Sequence, residues 1–212
     1  IGAYGVELRD VFYNLEAINL KTGEKRLFNN EDCKFAYRDS VFKKEYKGEY
    51  VICYVTFMLK KQPDFNISYG GLKAELDALP VAELNAKLVS DAVCSIRRSK
   101  LPDPAVIGNA GSFFKNPIVS LSQFQSLQQL FPEMVSFKHT SAEVKLAAAW
   151  LIEQCGWKGK RFGDAGVHEK HALVLANYGS AKGKEIYMLS EKIKRSVEDK
   201  FGVALEREVN VV

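Results

Sequence analysis

The chain has 212 residues, of which 47% are hydrophobic and 26% are charged. This length accommodates one large domain or two small ones, with a core large enough to need no disulfide support. The 30 basic and 26 acidic side chains give a net charge of +4. That excess is too small to indicate a dedicated nucleic-acid binder, and it is compatible with a small anionic substrate.

The cysteines are widely spaced and form no CxxC pair; they are Cys33, Cys53, Cys94 and Cys155. Their spacing argues against a disulfide framework or a structural zinc site and favours buried thiols in a reducing cytoplasm. The sequence has no signal peptide and no apolar run long enough to cross a bilayer, so we expect no membrane partner. Because the chain opens on Ile1 and its first methionine is Met58, we expect a fragment of a longer protein.

The first half of the chain contains patterns for strands and one helix. Residues 6–29 alternate apolar and polar side chains around a Thr-Gly turn, which is typical of a β-hairpin. Residues 50–57 are mostly β-branched or aromatic and predict a buried strand. A helix is predicted from Pro80 to about Arg98, because apolar residues recur there at helical spacing.

The second half alternates helix and strand patterns after the proline-containing segment at 101–104, which predicts a domain boundary. Helices are predicted at 120–131, 141–155 and 181–201, the last capped by Gly202, and strands at 172–176 and 203–212.

Arg38 is the first candidate functional residue, in the segment Tyr37-Arg38-Asp39-Ser40. The segment lies in an irregular stretch between strands, where functional side chains are common. The planar guanidinium suits a substrate carboxylate because it can bind two oxygens. The alternative is a surface arginine paired with Asp39.

Two further segments are candidates. Ser112 lies in the glycine-containing segment 108–117, where small residues permit close approach to a ligand and a hydroxyl can donate a proton. The alternative is a turn followed by a core strand. Glu208 lies in the terminal strand pattern, where Glu206 and Glu208 share one face. The alternative there is a solvated strand face.

Other motifs carry less information. His168 and His171 are spaced like a metal pair, but no third ligand lies close by, so no metal site is predicted. Lys100 ends the basic run 97–100, which either complements the dipole of the predicted helix or binds phosphate. The sequence contains no Walker loop and no GxGxxG motif.

Five segments, taken in order, resemble the MurB family of UDP-N-acetylenolpyruvoylglucosamine reductases. They are IGAYGVE (1–7), YRDSVFK (37–43), RRSKLPDP (97–104), GNAGSFFKNP (108–117) and LEREV (205–209). The resemblance covers the whole chain. Tyr69, in Ser-Tyr-Gly, resembles the tyrosine of the subclass that carries an additional loop over the substrate.

The resemblance implies an enzyme of peptidoglycan synthesis that reduces UDP-N-acetylglucosamine enolpyruvate to UDP-N-acetylmuramate, and so serves cell-wall biogenesis, cell shape and cell division. NADPH reduces a bound FAD, and the flavin passes a hydride to the terminal carbon of the enolpyruvyl group. Negative charge then develops on the neighbouring carbon and spreads into the carboxylate. Such a step needs fixed positive charge and a proton donor.

The family's site residues are carried over position by position. The implied catalytic residues are Ser112 as proton donor, Arg38 as carboxylate ligand and Glu208 as an assisting acid. The implied substrate contacts are Tyr4, Tyr69, Lys100 and Asn116, and the implied flavin contacts are Gly2, Ala3, Gly5 and Arg38. Phe137 and His171 depart from the family, since some relatives have tyrosine and glutamine there.

The implied fold class is α+β. Residues 1–101 would form the C-terminal part of a flavin-binding domain, residues 102–201 a substrate-binding domain of helices packed on a small sheet, and residues 202–212 a poorly packed strand returning to an absent N-terminal domain. We therefore expect this chain alone to bind FAD poorly. We expect a monomer with no nucleic-acid partner. The alternatives are a nucleotide-sugar-binding module without redox chemistry and a basic RNA-binding domain.

Overall fold

The computed structural model describes residues 2–78 and 84–211. The chain divides into two compact units, Ile1–Ile96 and Arg97–Val212. Each unit contains both helices and sheets, which confirms the predicted α+β class. The predicted domain boundaries at 101/102 and 201/202 stay predictions.

The first unit contains a small hairpin and a three-stranded antiparallel sheet of order β4-β3-β5. Its strands are β1 (Gly2–Ala3), β2 (Val6–Glu7), β3 (Phe12–Asn19), β4 (Lys25–Asn29) and β5 (Tyr50–Phe57). Its helices are α1 (Asn30–Cys33), α2 (Leu72–Asp77) and the greater part of α3 (Ala86–Lys100). The β3–β4 pair is the predicted hairpin, with Leu15 opposite Phe28.

One face of this sheet buries an aromatic cluster. Phe28 is fully buried, and its ring makes edge-to-face contacts with Phe42, Tyr46 and Tyr50. Such contacts add to the burial of apolar area. The segment between β4 and β5, expected to be irregular, is thereby attached to the sheet, and α1 begins there with a capping box between Asn29 and Asp32.

Strand β5 is present as predicted, but the expectation that it is buried is wrong. Its residues from Val51 to Phe57 are exposed. The reason is topological, because β5 pairs with β3 and has no other strand partner within the described residues. The β-branched residues fit the extended conformation of the strand, and in this chain they do not indicate burial. The expectation of buried thiols is also wrong for Cys53 in this strand and for Cys94, which are exposed.

A second cluster in this unit joins α2 to α3 through Leu72, Leu76, Ala92 and Ile96. The predicted helix is shorter than expected, because residues 84 and 85 are not helical and α3 begins at Ala86. The predicted start at Pro80 lies outside the described residues.

The second unit contains a four-stranded sheet of order β10-β11-β12-β6 and a three-stranded sheet of order β7-β9-β8. Its strands are β6 (Gly108–Ser112), β7 (Ile118–Ser120), β8 (Ser136–Lys138), β9 (Glu143–Leu146), β10 (Arg161–Phe162), β11 (Ala165–Val167) and β12 (Val174–Asn177). Its helices are α4 (Leu121–Leu130), α5 (Ala148–Gln154) and α6 (Gly183–Phe201).

Helix α6 supplies much of the core of the second unit. Leu189, Ile193, Val197 and Phe201 recur at helical spacing and are all buried. The helix ends at Gly202, whose φ of 61° is the left-handed cap that the sequence predicts.

Two predicted elements of this unit are wrong. The helix expected at 141–155 is strand β9 followed by the short helix α5, because Glu143–Leu146 pairs between β7 and β8. Pairing with distant strands overrides local helix propensity here. The strand expected at 203–212 is reduced to an isolated bridge between Arg207 and Phe114. The expected poor packing is wrong for the first part of this segment, where Val203 and Leu205 are buried, whereas Asn210 and Val211 are exposed.

The core role of α6 generates a stability prediction. Ile193→Ala should lower the free energy of unfolding of the second unit by about 2–5 kcal/mol, since it removes buried methyl groups and leaves a cavity. Both tryptophans, Trp150 and Trp157, lie in this unit, so tryptophan fluorescence in a denaturant titration reports on it. Met188→Ala on the exposed side of α6 is the control. Equal effects of the two substitutions would contradict the packing described.

Candidate functional site

The predicted site residues of the first unit surround a tight turn. Strands β1 and β2 pair with Ala3 opposite Val6, leaving Tyr4 and Gly5 as a two-residue loop. Both have positive φ, 52° and 77°, as a type I′ hairpin turn requires. Glycine adopts this conformation freely, whereas for Tyr4 it is a strained backbone of the kind concentrated at functional sites.

Arg38 occupies a second left-handed position, with φ of 54°. It lies in a reverse turn in which Ala36 and Asp39 exchange backbone hydrogen bonds of 3.1 and 3.2 Å. Its Nη1 donates to the carbonyl oxygen of Gly2 at 3.3 Å. Asp39 forms an ion pair with Lys44. The half-buried guanidinium is therefore joined to the Tyr4-Gly5 hairpin rather than displayed as an isolated surface charge.

Tyr69 joins the same group. Its ring packs against that of Tyr4 with centroids 5.5 Å apart and an interplanar angle of 69°. The structure thus brings together all the site residues predicted from the first unit: Gly2, Ala3, Tyr4, Gly5, Arg38 and Tyr69. This arrangement offers a guanidinium, two phenol rings and an exposed glycine-containing backbone.

In the second unit, Ser112 ends strand β6 and lies opposite Val174 of β12. The register of the two strands shifts between Val174 and Ala176, and Gly111 has a φ of 71°. An irregularity of this kind redirects the side chains beside it. The local geometry is supported by Asn109, whose side-chain oxygen accepts from the Gly111 N–H at 3.0 Å.

The C-terminal segment lies directly beside Ser112. The Glu208 N–H donates to the Phe113 carbonyl at 2.9 Å, and the Lys115 N–H donates to the Glu206 carbonyl at 2.9 Å. Glu208 is therefore paired with Phe113, the residue that follows Ser112. Ser112 and Glu208 are half-buried, and Phe113 is buried. The structure thus brings Glu208 into a backbone pairing with the residue next to Ser112.

Arg207 fixes this segment, and sequence reasoning missed it. Its Nε donates to Ser190 Oγ at 2.8 Å, and its guanidinium lies 4.3 Å from the centre of the Tyr187 ring. It also forms an ion pair with Glu191, which lowers the pKa of that carboxyl, chiefly through the hydrogen bond. The sequence signal that could have identified Arg207 was the alternation of side chains in an extended segment, which puts residue 207 on the same side as the buried Leu205.

Three other residues flagged in the sequence have defined surroundings. Asn116 Oδ1 accepts from the Ala148 N–H at the start of α5, at 2.9 Å. Phe137 is partly exposed on β8, with Lys145 Nζ 5.8 Å from its ring centre. The pKa of His171 is lowered, mainly by burial and further by His168, Lys100 and Lys158. Lys100 thus belongs to a local group of basic side chains.

Each unit contains a largely apolar cavity. The first, of about 260 Å³, is lined by Glu7, Leu8, Arg9, Phe12, Leu15, Phe35, Ala36, Ser40, Phe42, Lys43, Ile52 and Val55. The second, of about 390 Å³, is lined by Gly108, Asn109, Ala110, Phe113, Leu175, Asn177, Gly183, Ile186, Tyr187, Val209, Asn210 and Val211. The second cavity adjoins the pairing that holds Glu208, although Ser112 and Glu208 are not among its lining residues.

In the parts of the chain that the structure describes, no three His, Cys, Asp or Glu side chains are grouped so as to hold a metal ion. His168 is buried, and its pKa is lowered mainly by desolvation. None of the helices in residues 2–78 and 84–211 has the length and apolarity of a membrane span.

Comparison with known proteins gives consistent matches. The family model described as UDP-N-acetylenolpyruvoylglucosamine reductase, C-terminal domain, matches residues 103–212. The chain is 50% identical over its full length to the UDP-N-acetylenolpyruvoylglucosamine reductase of Flavobacterium johnsoniae and spans 63% of it. It is 48% identical to that of Pseudomonas putida and spans 62% of it. The chain therefore covers less than two thirds of these relatives.

A solved structure shows the same fold. The crystal structure of UDP-N-acetylenolpyruvylglucosamine reductase (MurB) from Thermus caldophilus aligns with 99% of this chain and 56% of its own, with a TM-score of 0.57 and 21% sequence identity.

The surroundings of His171 predict a pH effect on stability. Because its pKa is lowered in the folded chain, the unfolded chain binds protons more readily below the ordinary value of 6.5, and stability falls as the pH falls through that range. Denaturant titrations at about pH 7.5 and 5.5 should show a smaller loss in His171→Gln than in the wild type. The exposed His139→Gln should behave like the wild type. An equal loss in all three proteins would contradict the assignment.

Proposed function

Because the chain belongs to the family of UDP-N-acetylenolpyruvoylglucosamine reductases, we propose that it is the substrate-protonating part of an NADPH-dependent flavoenzyme. The whole enzyme would reduce UDP-N-acetylglucosamine enolpyruvate to UDP-N-acetylmuramate in peptidoglycan synthesis. The observation that supports this proposal is the backbone pairing of Glu208 with Phe113, which brings residue 208 next to the residue that follows Ser112.

The proposed cofactor is FAD, which supplies the hydride when bound and reduced by NADPH. The first unit fits one side of such a site. Ala3 and Gly5 are exposed, so their backbone groups are open to close approach. A side chain at Gly2 would overlap the Glu7 carboxylate, and Arg38 holds the Gly2 carbonyl. Gly2, Ala3, Gly5 and Arg38 are the proposed contacts, and residues outside this chain would supply the rest of the site.

Ser112 is the proposed proton donor. Hydride addition to the terminal carbon leaves negative charge on the neighbouring carbon, and proton transfer from Ser112 Oγ to that carbon completes the reduction. The half-buried position of Ser112, at the end of a paired strand, limits its movement. Holding a reacting group in a fixed position contributes a large part of enzymatic rate enhancement.

Arg38 and Glu208 are the proposed partners of the reacting group. The Arg38 guanidinium would bind the substrate carboxylate, into which the developing charge spreads, and so stabilise the transition state. Glu208 would assist at the same carbon. The ion pair of Arg207 with Glu191 supports this role indirectly, because it holds the segment that carries Glu208.

The remaining predicted residues are proposed to bind the UDP-sugar. Lys100, with Lys158 and His171 nearby, would offset the charge of the diphosphate. Tyr4 and Tyr69 offer ring and hydroxyl contacts. Asn116, whose side-chain oxygen accepts from the Ala148 N–H at the start of α5, is the fourth proposed contact. The enzyme is proposed to act in the cytoplasm as a monomer.

The proton-donor role predicts a selective kinetic defect. Ser112→Ala is made in the protein extended at its N terminus to the length of its relatives. It should leave reduction of the flavin by NADPH unchanged, and it should slow reoxidation by the enolpyruvyl substrate by about 10²–10⁴-fold. Stopped-flow absorbance separates the two half-reactions. Ser126→Ala, on helix α4, is the control and should be neutral in both. Equal loss in both half-reactions would remove Ser112 from this role.

A further inference from the structure

We propose that Asn66 is a positioning residue for the Tyr4–Tyr69 pair. Its side-chain amide joins the loop that carries Tyr69 to the Tyr4-Gly5 turn, and so fixes the two rings relative to each other. This inference rests on the proposed function, in which Tyr4 and Tyr69 contact the UDP-sugar.

Both ends of the Asn66 amide are engaged. Nδ2 donates to the Gly5 carbonyl at 2.9 Å. Oδ1 accepts from Ser68 Oγ at 2.7 Å and from the Ser68 N–H at 3.3 Å. One bond reaches a residue 61 positions away in the sequence, whereas the other two shape the loop just before Tyr69. A single side chain therefore connects the shape of the loop to the position of the turn.

The fit between loop and turn is close. A Cβ added to Gly5 would lie 2.9 Å from Asn66 Nδ2 and 3.5 Å from Tyr69 Cβ. The Gly5 carbonyl is presented to Asn66 by the left-handed conformation of Tyr4 and Gly5. The hydrogen bond from Asn66 to Gly5 therefore stabilises the left-handed conformation of the turn, which is unfavourable for Tyr4.

The ring pair needs this support. Tyr69 is 50% exposed, so its edge-to-face contact with Tyr4 buries little area. Residues 58–68 contain no helix or strand, and ordering such a segment is entropically unfavourable. Ile67 attaches the segment to the Leu72 cluster, and Asn66 provides the attachment on the side of the turn. Without it the loop stays near the unit, but Tyr69 is no longer held against Tyr4.

Loss of the Asn66 hydrogen bonds should weaken substrate binding without changing the rate of the chemical step. A ligand that needs both rings in place binds less tightly in proportion to the fraction of molecules in the competent arrangement. A net contribution typical of one or two hydrogen bonds corresponds to about a three- to tenfold change in the dissociation constant. The hydrogen bonds of Asn66 go to Gly5 and Ser68. Neither residue is a proposed proton donor or carboxylate ligand, so the rate of the chemical step should be unchanged.

The test compares Asn66→Asp, Asn66→Ala and the control Asn30→Ala. Asn66→Asp keeps an acceptor for Ser68 but replaces the donor to Gly5. The side-chain amide of Asn30 donates an equivalent hydrogen bond to the Arg9 carbonyl, at 2.9 Å, elsewhere in the first unit. Nuclear Overhauser contacts between the Tyr4 and Tyr69 rings are measured in the 212-residue chain. The affinity for UDP-N-acetylglucosamine, and kcat and KM for the enolpyruvyl substrate, are measured in the N-terminally extended protein.

Both Asn66 variants should lose the ring contacts and show about three- to tenfold higher Kd and KM at unchanged kcat, while Asn30→Ala matches the wild type. Ring contacts that persist in both variants would show that Asn66 does not hold the two rings together, and would overturn the proposal. Lost contacts with unchanged Kd and KM overturn the positioning role and leave the proposed function standing. A wild-type protein that does not bind the UDP-sugar overturns the proposed function and the positioning role together.

Discussion

The second unit depends on the backbone pairing between the C-terminal segment and residues 113–115. The Glu208 N–H donates to the Phe113 carbonyl, and the Lys115 N–H donates to the Glu206 carbonyl. These two bonds bring Glu208 next to the residue that follows Ser112. Arg207 secures the pairing through Ser190 and Glu191 on α6. A partly buried ion pair is weak evidence for stability on its own, but this one ties the segment that carries Glu208 to α6.

In the first unit, the predicted site residues include strained backbone that neighbouring contacts hold in place. Tyr4 and Arg38 both adopt the left-handed conformation, and the guanidinium of Arg38 donates to the hairpin that contains Tyr4. Such disfavoured conformations are maintained only when their surroundings over-determine them. Here those surroundings are the β1–β2 pairing, the turn closed by Ala36 and Asp39, and the Asn66 amide.

Sequence patterns predicted the features that are local. The β3–β4 hairpin and helix α6 follow from alternation, helical spacing and a terminal glycine, and all three signals lie within the elements themselves. The helix expected at 141–155 failed because Glu143–Leu146 pairs with two other strands. Arg207 and Asn66 were missed for a related reason, since their partners lie 17 and 61 positions away. Arg38, Ser112 and Glu208 were candidates from their residue types and local sequence, whereas their roles and the other site residues came from motif resemblance. Such a resemblance transfers positions and roles but not the contacts that hold them.

Amide hydrogen exchange at Glu208 and Lys115, measured by NMR in the 212-residue chain, tests the central pairing most directly. Both amides should exchange slowly, like those of the buried strand β12, because each donates to a backbone carbonyl of the second unit. Arg207→Ala should accelerate the exchange of Glu208. Exchange of Glu208 at the rate of an unstructured peptide would show that the pairing with Phe113 is absent, and nothing would then hold Glu208 in the segment next to Ser112.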